Sequence, residues 1–260
     1  MRALLSGGPF PIRRVGRRLL WRHPRFYRWF GILRDRGDCI KRGFDVWFGG
    51  YPRSANTHCV AAFTLANPTV PIASHWHIPA FIIHALALGK PGIFLIRRPV
   101  DPVISWTIFF QGQLTLRDSL QYYIDFHRAM LPYREQLFVS PFDSIIHHFP
   151  SVLQAFNLRF GTNYAAPAPS QQTADDCLAR VEDWLRAPDG SINEFIVSRP
   201  SSKRAAIKAD LLETLQESPS LRRKLKVADA LFEQFTGELG PIAGTIVPFS
   251  TQRNVAPTLR

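Results

Sequence analysis

The sequence predicts an α/β fold, a three-layer sandwich around a central, mostly parallel sheet, with a helix-rich final third. Three observations carry this. From about residue 44, short β-prone runs and helical stretches alternate in quick succession, the order that builds parallel sheets. "GIFLIR" (92–97) sets four apolar residues in a row, as a strand buried on both faces requires. Beyond the loop at 163–173 the pattern is helical.

Each element has its own signal. Phe44–Phe48 is a β-prone run that stops at Gly49-Gly50, and residues 55–66 read as a helix ending before Asn67-Pro68. "TVPIAS" (69–74) is a second strand, and proline opens the buried helix 79–90. After the 92–97 strand comes a helix from Pro99 to about Gln111. Leu116, Leu120, Tyr123, Ile124 and Leu131 then recur at helical spacing. "LFVS" (137–140) predicts a fourth strand, followed by a helix ending near Gly161. "NYAAPAPSQQT" (163–173) is a loop, and Gly237 is placed to end a helix from about Leu221.

Composition is that of a globular chain, with 46% hydrophobic and 20% charged residues among 260. No apolar run reaches the ~18 residues of a membrane span, and no secretory signal is expected, for want of an uninterrupted apolar segment and small-residue cleavage site near residue 1. Cys39, Cys59 and Cys177 lie far apart, so neither a disulfide framework nor a zinc site is expected, and the expected location is cytoplasmic. The net charge of +12 is concentrated at one end. Residues 1–42 hold eleven Arg and one Lys against Asp35 and Asp38, while the rest is nearly balanced. The chain divides accordingly into a basic, aromatic arm (1–42) and a single α/β domain (43–260). Two readings of the arm stay open: a peripheral attachment to an anionic membrane or charged partner, and a solvated helix packed on the domain. No nucleic-acid-reading module accompanies it.

"FGGYPRSANTH" (48–58) is written as an anion cradle. A glycine-bearing turn into a helix N-terminus points backbone N–H groups outward, with the helix dipole behind them. Ser54, Asn56 and Thr57 add donors and Arg53 adds a permanent charge. The Gly-Lys-Ser/Thr ending of a nucleoside-triphosphatase loop is missing. An ordinary tight turn is the bland alternative. A second stretch, "RRPVDPVIS" (97–105), follows the strongest strand, with Arg97 at its end and Ser105 about two turns into a helix.

Together these two stretches resemble the sulfotransferases that use 3′-phosphoadenosine 5′-phosphosulfate (PAPS). That family's first signature, Tyr-Pro-Lys-Ser-Gly-Thr-Thr-Trp, resembles Tyr51, Pro52, Arg53, Ser54, Ala55, Asn56, Thr57 and His58. Its second, Arg-Asn-Pro-x-Asp-x-x-x-Ser, is matched by Arg97, Arg98, Pro99, Asp101 and Ser105. The resemblance is good over 44–113, weak to about 161 and slight beyond. It implies a P-loop-like phosphosulfate-binding loop at 53–58, with Arg97 and Ser105 on the 3′-phosphate and 3′,5′-adenosine bisphosphate (PAP) as product. Arg53 stands where the family has lysine, which implies a fixed electrostatic clamp on the leaving phosphate and no proton donation. Ala55 replaces a glycine, which asks that this residue not need positive φ. His58 replaces a tryptophan that helps contain the nucleotide. The family's late Arg-Lys-Gly-x-x-Gly segment is absent, and "RPSSKR" (199–204) offers Ser201, Ser202, Lys203 and Arg204 in its place.

Sulfuryl transfer also needs a base. "SHWHIP" (74–79) lies just past the second strand, and His77, with proline two residues on, matches the resemblance's catalytic histidine while His75 does not. An unperturbed imidazole sets its working range at about pH 6–7. The structural alternative has His77 capping the 79–90 helix. No third ligand is spaced to make His75 and His77 a metal pair, and His147-His148 receives no role. The expected function is therefore metal-independent transfer of a sulfuryl group from PAPS to a hydroxyl or amine of a glycan, lipid or small molecule. The alternatives are a Mg²⁺-dependent nucleotide or phosphate-transfer enzyme and a non-catalytic, membrane-associated nucleotide-binding protein.

Overall fold

The structure is a computed structural model that describes residues 43–75, 77–168, 170–187, 189–196 and 202–237. The arm (1–42) and Ser201 lie outside them, as do the side chains of Ser202 and Lys203. Among the described residues, four parallel strands form one sheet: β1 (Val46–Gly50), β2 (Ile72–Ser74), β3 (Gly92–Ile96) and β4 (Phe138–Pro141), in the order β2-β1-β3-β4. Helix α1 (Asn56–Ala66) joins β1 to β2, and α2 (Pro79–Ala87) joins β2 to β3. Next come α3 (Val100–Phe109) and α4 (Leu116–Met130), which lead through a 3₁₀ turn to β4. Then follow α5 (Phe142–Phe160), α6 (Gln171–Leu185), α7 (Ser202–Glu217) and α8 (Pro219–Thr236).

Strand alternation sorts the helices into two layers. Val46 and Phe48 of β1, with Ile93 and Leu95 of β3, pack on α1, α5 and α6. Trp47, Phe94 and Ile96 point the other way, toward α2, α3, α4, α7 and α8. The sheet is thus buried on both faces, which is why β1 and β3 read as continuous apolar runs. From β1 the chain leaves to one side with α1 on one face. It then crosses back to β3 with α2 on the opposite face, as right-handed crossovers demand. The point where the direction reverses lies between β1 and β3, the place where open α/β sheets bind ligands.

The strand β1 runs through both glycines instead of stopping before them. Gly50 pairs with Leu95, and a Cβ there would lie 2.1 Å from the Leu95 carbonyl oxygen. Close approach of two backbones is the reason for this glycine. Elsewhere the elements differ from expectation at their ends. Ser170 caps α6, so "QQT" is helix and not loop. The α5 helix bends at His148, where the ring of Pro150 interrupts the ladder. The φ of Gly237 is helical, not left-handed. Thr115 and Asp118 form a reciprocal capping box at the start of α4.

Candidate functional site

The cradle is built at the carboxyl end of β1. Tyr51 is fully buried and donates its hydroxyl to the Ser119 carbonyl of α4 at 3.0 Å, anchoring the turn to the helix layer. Two residues in the next four take left-handed backbone, Arg53 (φ 68°) and Ala55 (φ 69°). The condition that residue 55 avoid positive φ is therefore not met: alanine carries the conformation that glycine adopts without cost. Ala55 is also the N-cap of α1 and has no side-chain acceptor to offer the first amides. No acidic residue lies in that first turn. A helix opening left uncapped and free of carboxylates suits an anion. Beside it, Ser54 Oγ and Asn56 Oδ1 are buried without a hydrogen-bond partner, although Asn56 Nδ2 donates to the Phe48 carbonyl at 3.3 Å. A buried polar atom left without a partner costs about 1–3 kcal/mol.

The two signature stretches meet here. Arg53 donates from Nε to Ser105 Oγ at 2.9 Å and from Nη1 to the Ile196 carbonyl at 3.1 Å. Burial, helped by Arg204 and Arg97, pulls the Arg53 guanidinium down to about 10, which still leaves it charged at neutral pH. Arg97 is clamped on several sides. Its guanidinium stacks over Phe142 at 3.8 Å, donates to Asp101 Oδ2 at 3.2 Å and reaches the Arg53 carbonyl at 3.4 Å. The Tyr123 hydroxyl holds its backbone carbonyl at 2.8 Å. Burial lowers the Arg97 pKa, with Asp101 and Asp143 opposing.

His77 sits on the β2 side of the same edge. One ring nitrogen, Nδ1, lies 2.9 Å from the Gly50 carbonyl. A carbonyl can only accept, so Nδ1 carries the proton and Nε2 presents a lone pair. Tyr122 donates its hydroxyl to the His77 carbonyl, and the Trp106 ring lies 6.4 Å from the imidazole. Burial drives the His77 pKa down to about 4; the Gly50 bond opposes the shift, and His75 and Arg53 add to it. The residue that caps α2 is Ile78, so the ring of His77 ties the β2–α2 turn to β1 and caps no helix. His75, which does not match the histidine pattern, also lies against the cradle: Nε2 is 3.2 Å from Thr57 Oγ1, Nδ1 is 2.9 Å from Ser74 Oγ, and its φ is 61°.

Thus Arg53, Ser54, Ala55, Asn56, Thr57, Arg97, Ser105 and His77 share one sheet edge. His58 stands apart from that set. It lies on α1 in the other helix layer, and its pKa is lowered by burial and by His147 of α5. Arg204, from the substitute segment, approaches Arg53 closely enough to depress its pKa. Three contributors have no local sequence signal. Tyr122 and Tyr123 read as an ordinary apolar helix face, and the Ile196 carbonyl as backbone. Among the described residues no cluster of three His, Cys, Asp or Glu is arranged to hold a metal ion, and no helix is long and apolar enough to cross a membrane.

No family model, curated protein or solved structure matches the chain. An apolar cavity of about 530 Å³ lies elsewhere, between the end of α3, the start of α4, and α7. Its walls include Ile108, Leu116 and Leu211 but no residue of the 51–57 loop and not His77.

Proposed function

We propose that the chain transfers a sulfuryl group from PAPS to a hydroxyl or amine acceptor, without a metal. The observation that carries this reading is the Arg53–Ser105 bond. It joins the two signature stretches at the switch point of the sheet, with the His77 ring held one loop away. The donor set fits a polyanionic nucleotide. Arg53, Arg97 and Arg204 crowd together at an energetic cost that an anion relieves, and Ser54 Oγ is a buried donor without a protein partner. In this reading the 53–57 loop holds the 5′-phosphosulfate, and Arg97 and Ser105 hold the 3′-phosphate.

The protein's part in the reaction follows from those positions. His77 Nε2 takes the proton of the acceptor hydroxyl as the oxygen forms its bond to sulfur. The bond from sulfur to the bridging phosphate oxygen breaks, and its electron pair stays on the phosphate. Arg53 neutralises the charge that develops there. Arginine remains protonated throughout, so the leaving phosphate departs as an anion.

A binding module without turnover is the second reading. The observation favouring it is the inward turn of Arg53, whose Nε and Nη1 are already engaged by Ser105 and Ile196. The Mg²⁺-dependent phosphate-transfer alternative is tested alongside. PAP is expected to raise the melting temperature, with about 2–4 kcal/mol of stabilisation at saturation. A shift with ATP and Mg²⁺ but none with PAP would sink the sulfotransferase reading. PAP binding with no transfer to a broad panel of labelled acceptors would favour the binding module. The charge of the arm supports peripheral attachment to anionic membranes.

A further inference from the structure

Asp101 lies one helical turn after Arg97, and its two oxygens are shared between two cations. Oδ2 accepts from Arg97 Nη2 at 3.2 Å, and Oδ1 accepts from Lys208 Nζ at 2.8 Å. Lys208 belongs to α7, 107 residues away, in the part of the chain least like the resemblance. Both members of the Lys208 pair are about half exposed, so the bridge adds little to stability. Its geometric effect on Arg97 is larger. A carboxylate with both oxygens free takes an arginine bidentately and masks its charge and its fork of donors. With Oδ1 held by Lys208, Asp101 engages Arg97 through one oxygen only.

We propose that Lys208 is a positioning residue for anion binding: by occupying Asp101, it keeps the Arg97 guanidinium available to a phosphate of the ligand. The ligand class is a nucleotide carrying a phosphate at the 3′ position in addition to its 5′ group. This rests on the reading of Arg97 as an anion-holding residue. Lys208 touches the ligand nowhere and acts through Asp101. The docking of α7 therefore tunes the affinity of a site built mainly on β1 and β3.

A double-mutant cycle on the full chain tests this by calorimetric titration with PAP. Lys208→Met is expected to weaken PAP binding about tenfold, and Lys208→Arg to restore it. In an Asp101→Asn background, where there is no charge to mask Arg97, the same Lys208→Met change is expected to cost less than about twofold. Adenosine 5′-monophosphate, which lacks the 3′-phosphate, is expected to bind wild type and Lys208→Met alike. Melting temperatures near wild type show that the variants fold. An equal loss in both backgrounds would make Lys208 a direct ligand contact and overturn the proposal. Undiminished PAP affinity in Lys208→Met would overturn it too, while leaving the nucleotide reading intact. A wild-type chain that binds no PAP removes that reading and this proposal together.

Discussion

The chemistry of His77 is decided by one bond, from Nδ1–H to the Gly50 carbonyl, because it fixes which nitrogen is free. Burial then sets when that nitrogen is available. With a pKa of about 4, the ring is neutral over the whole physiological range. The rate with an alcohol acceptor is therefore expected to rise with pH through about 4 and stay flat through neutrality. An unperturbed imidazole would instead give a rise at about 6–7. His77→Ala is expected to lower turnover by about a hundredfold or more while PAP affinity stays near wild type. A measured inflection at 6–7, retained in His77→Ala, would transfer the role of base to another group, with His75 beside Thr57 the first to test. The position of His77 was legible in the spacing of "HWHIP". Its depressed pKa was not, because the groups that bury it come from α3 and α4, a long way down the chain. Arg53 divides the same way: its charge was plain, while its engagement by Ile196 depends on a contact 143 residues distant.

At the scale of the element, the β1–α1 turn combines close packing at one end with strain at the other. Gly50 is there because the Leu95 backbone leaves no room for a Cβ: the Leu95 carbonyl oxygen would lie only 2.1 Å from it. Ala55 holds a left-handed backbone that costs a non-glycine residue about 1 kcal/mol or more. The two substitutions are expected to act in opposite directions. Ala55→Gly should raise the melting temperature by about 2–4 °C, and Gly50→Ala should lower it by considerably more. Thermal melts of both variants check this, and a neutral Ala55→Gly would mean that the turn does not hold residue 55 left-handed. Arg53, Ala55 and His75 are three of the four non-glycine residues with positive φ among the described residues, and all three border the cradle. Such clustering is typical of functional sites, where the rest of the fold sustains the strain. The elements themselves were readable because their apolar periods are strong. Their ends were less so: β1 continues through its glycines for the sake of β3, which no local pattern reports.

For the whole molecule, two imidazoles, one buried and one partly buried, are expected to weaken the fold in acid. His127 is fully buried, donates Nδ1–H to the Tyr123 carbonyl at 2.8 Å and packs among Tyr123, Phe94 and Phe235. Burial lowers its pKa to about 4, with the Tyr123 bond opposing, so it matches His77. Both folded values lie below the unfolded 6.5, so the unfolded chain binds more protons between those limits. Stability is accordingly expected to be greatest above pH 6.5 and to fall as pH drops toward 4, by on the order of a few kcal/mol. Denaturant melts between pH 7 and 4 measure this, and replacing His127 by Phe should flatten the slope; an unchanged slope would show that other groups cause it. The architecture was legible because alternating strands and helices admit few parallel topologies, and the topology in turn pointed to the candidate site. What stayed hidden is the share that α7 and the 193–196 turn contribute, since it arises from tertiary contact alone. That share also fixes an order of events during synthesis. Arg53 can reach Ser105 once the first hundred or so residues have emerged, but its second partner, Ile196, lies 143 residues downstream. At about 5–20 residues per second, the ribosome delivers that carbonyl roughly 7–30 s after the arginine. The cradle is therefore closed last, by a segment made long after the loop it completes.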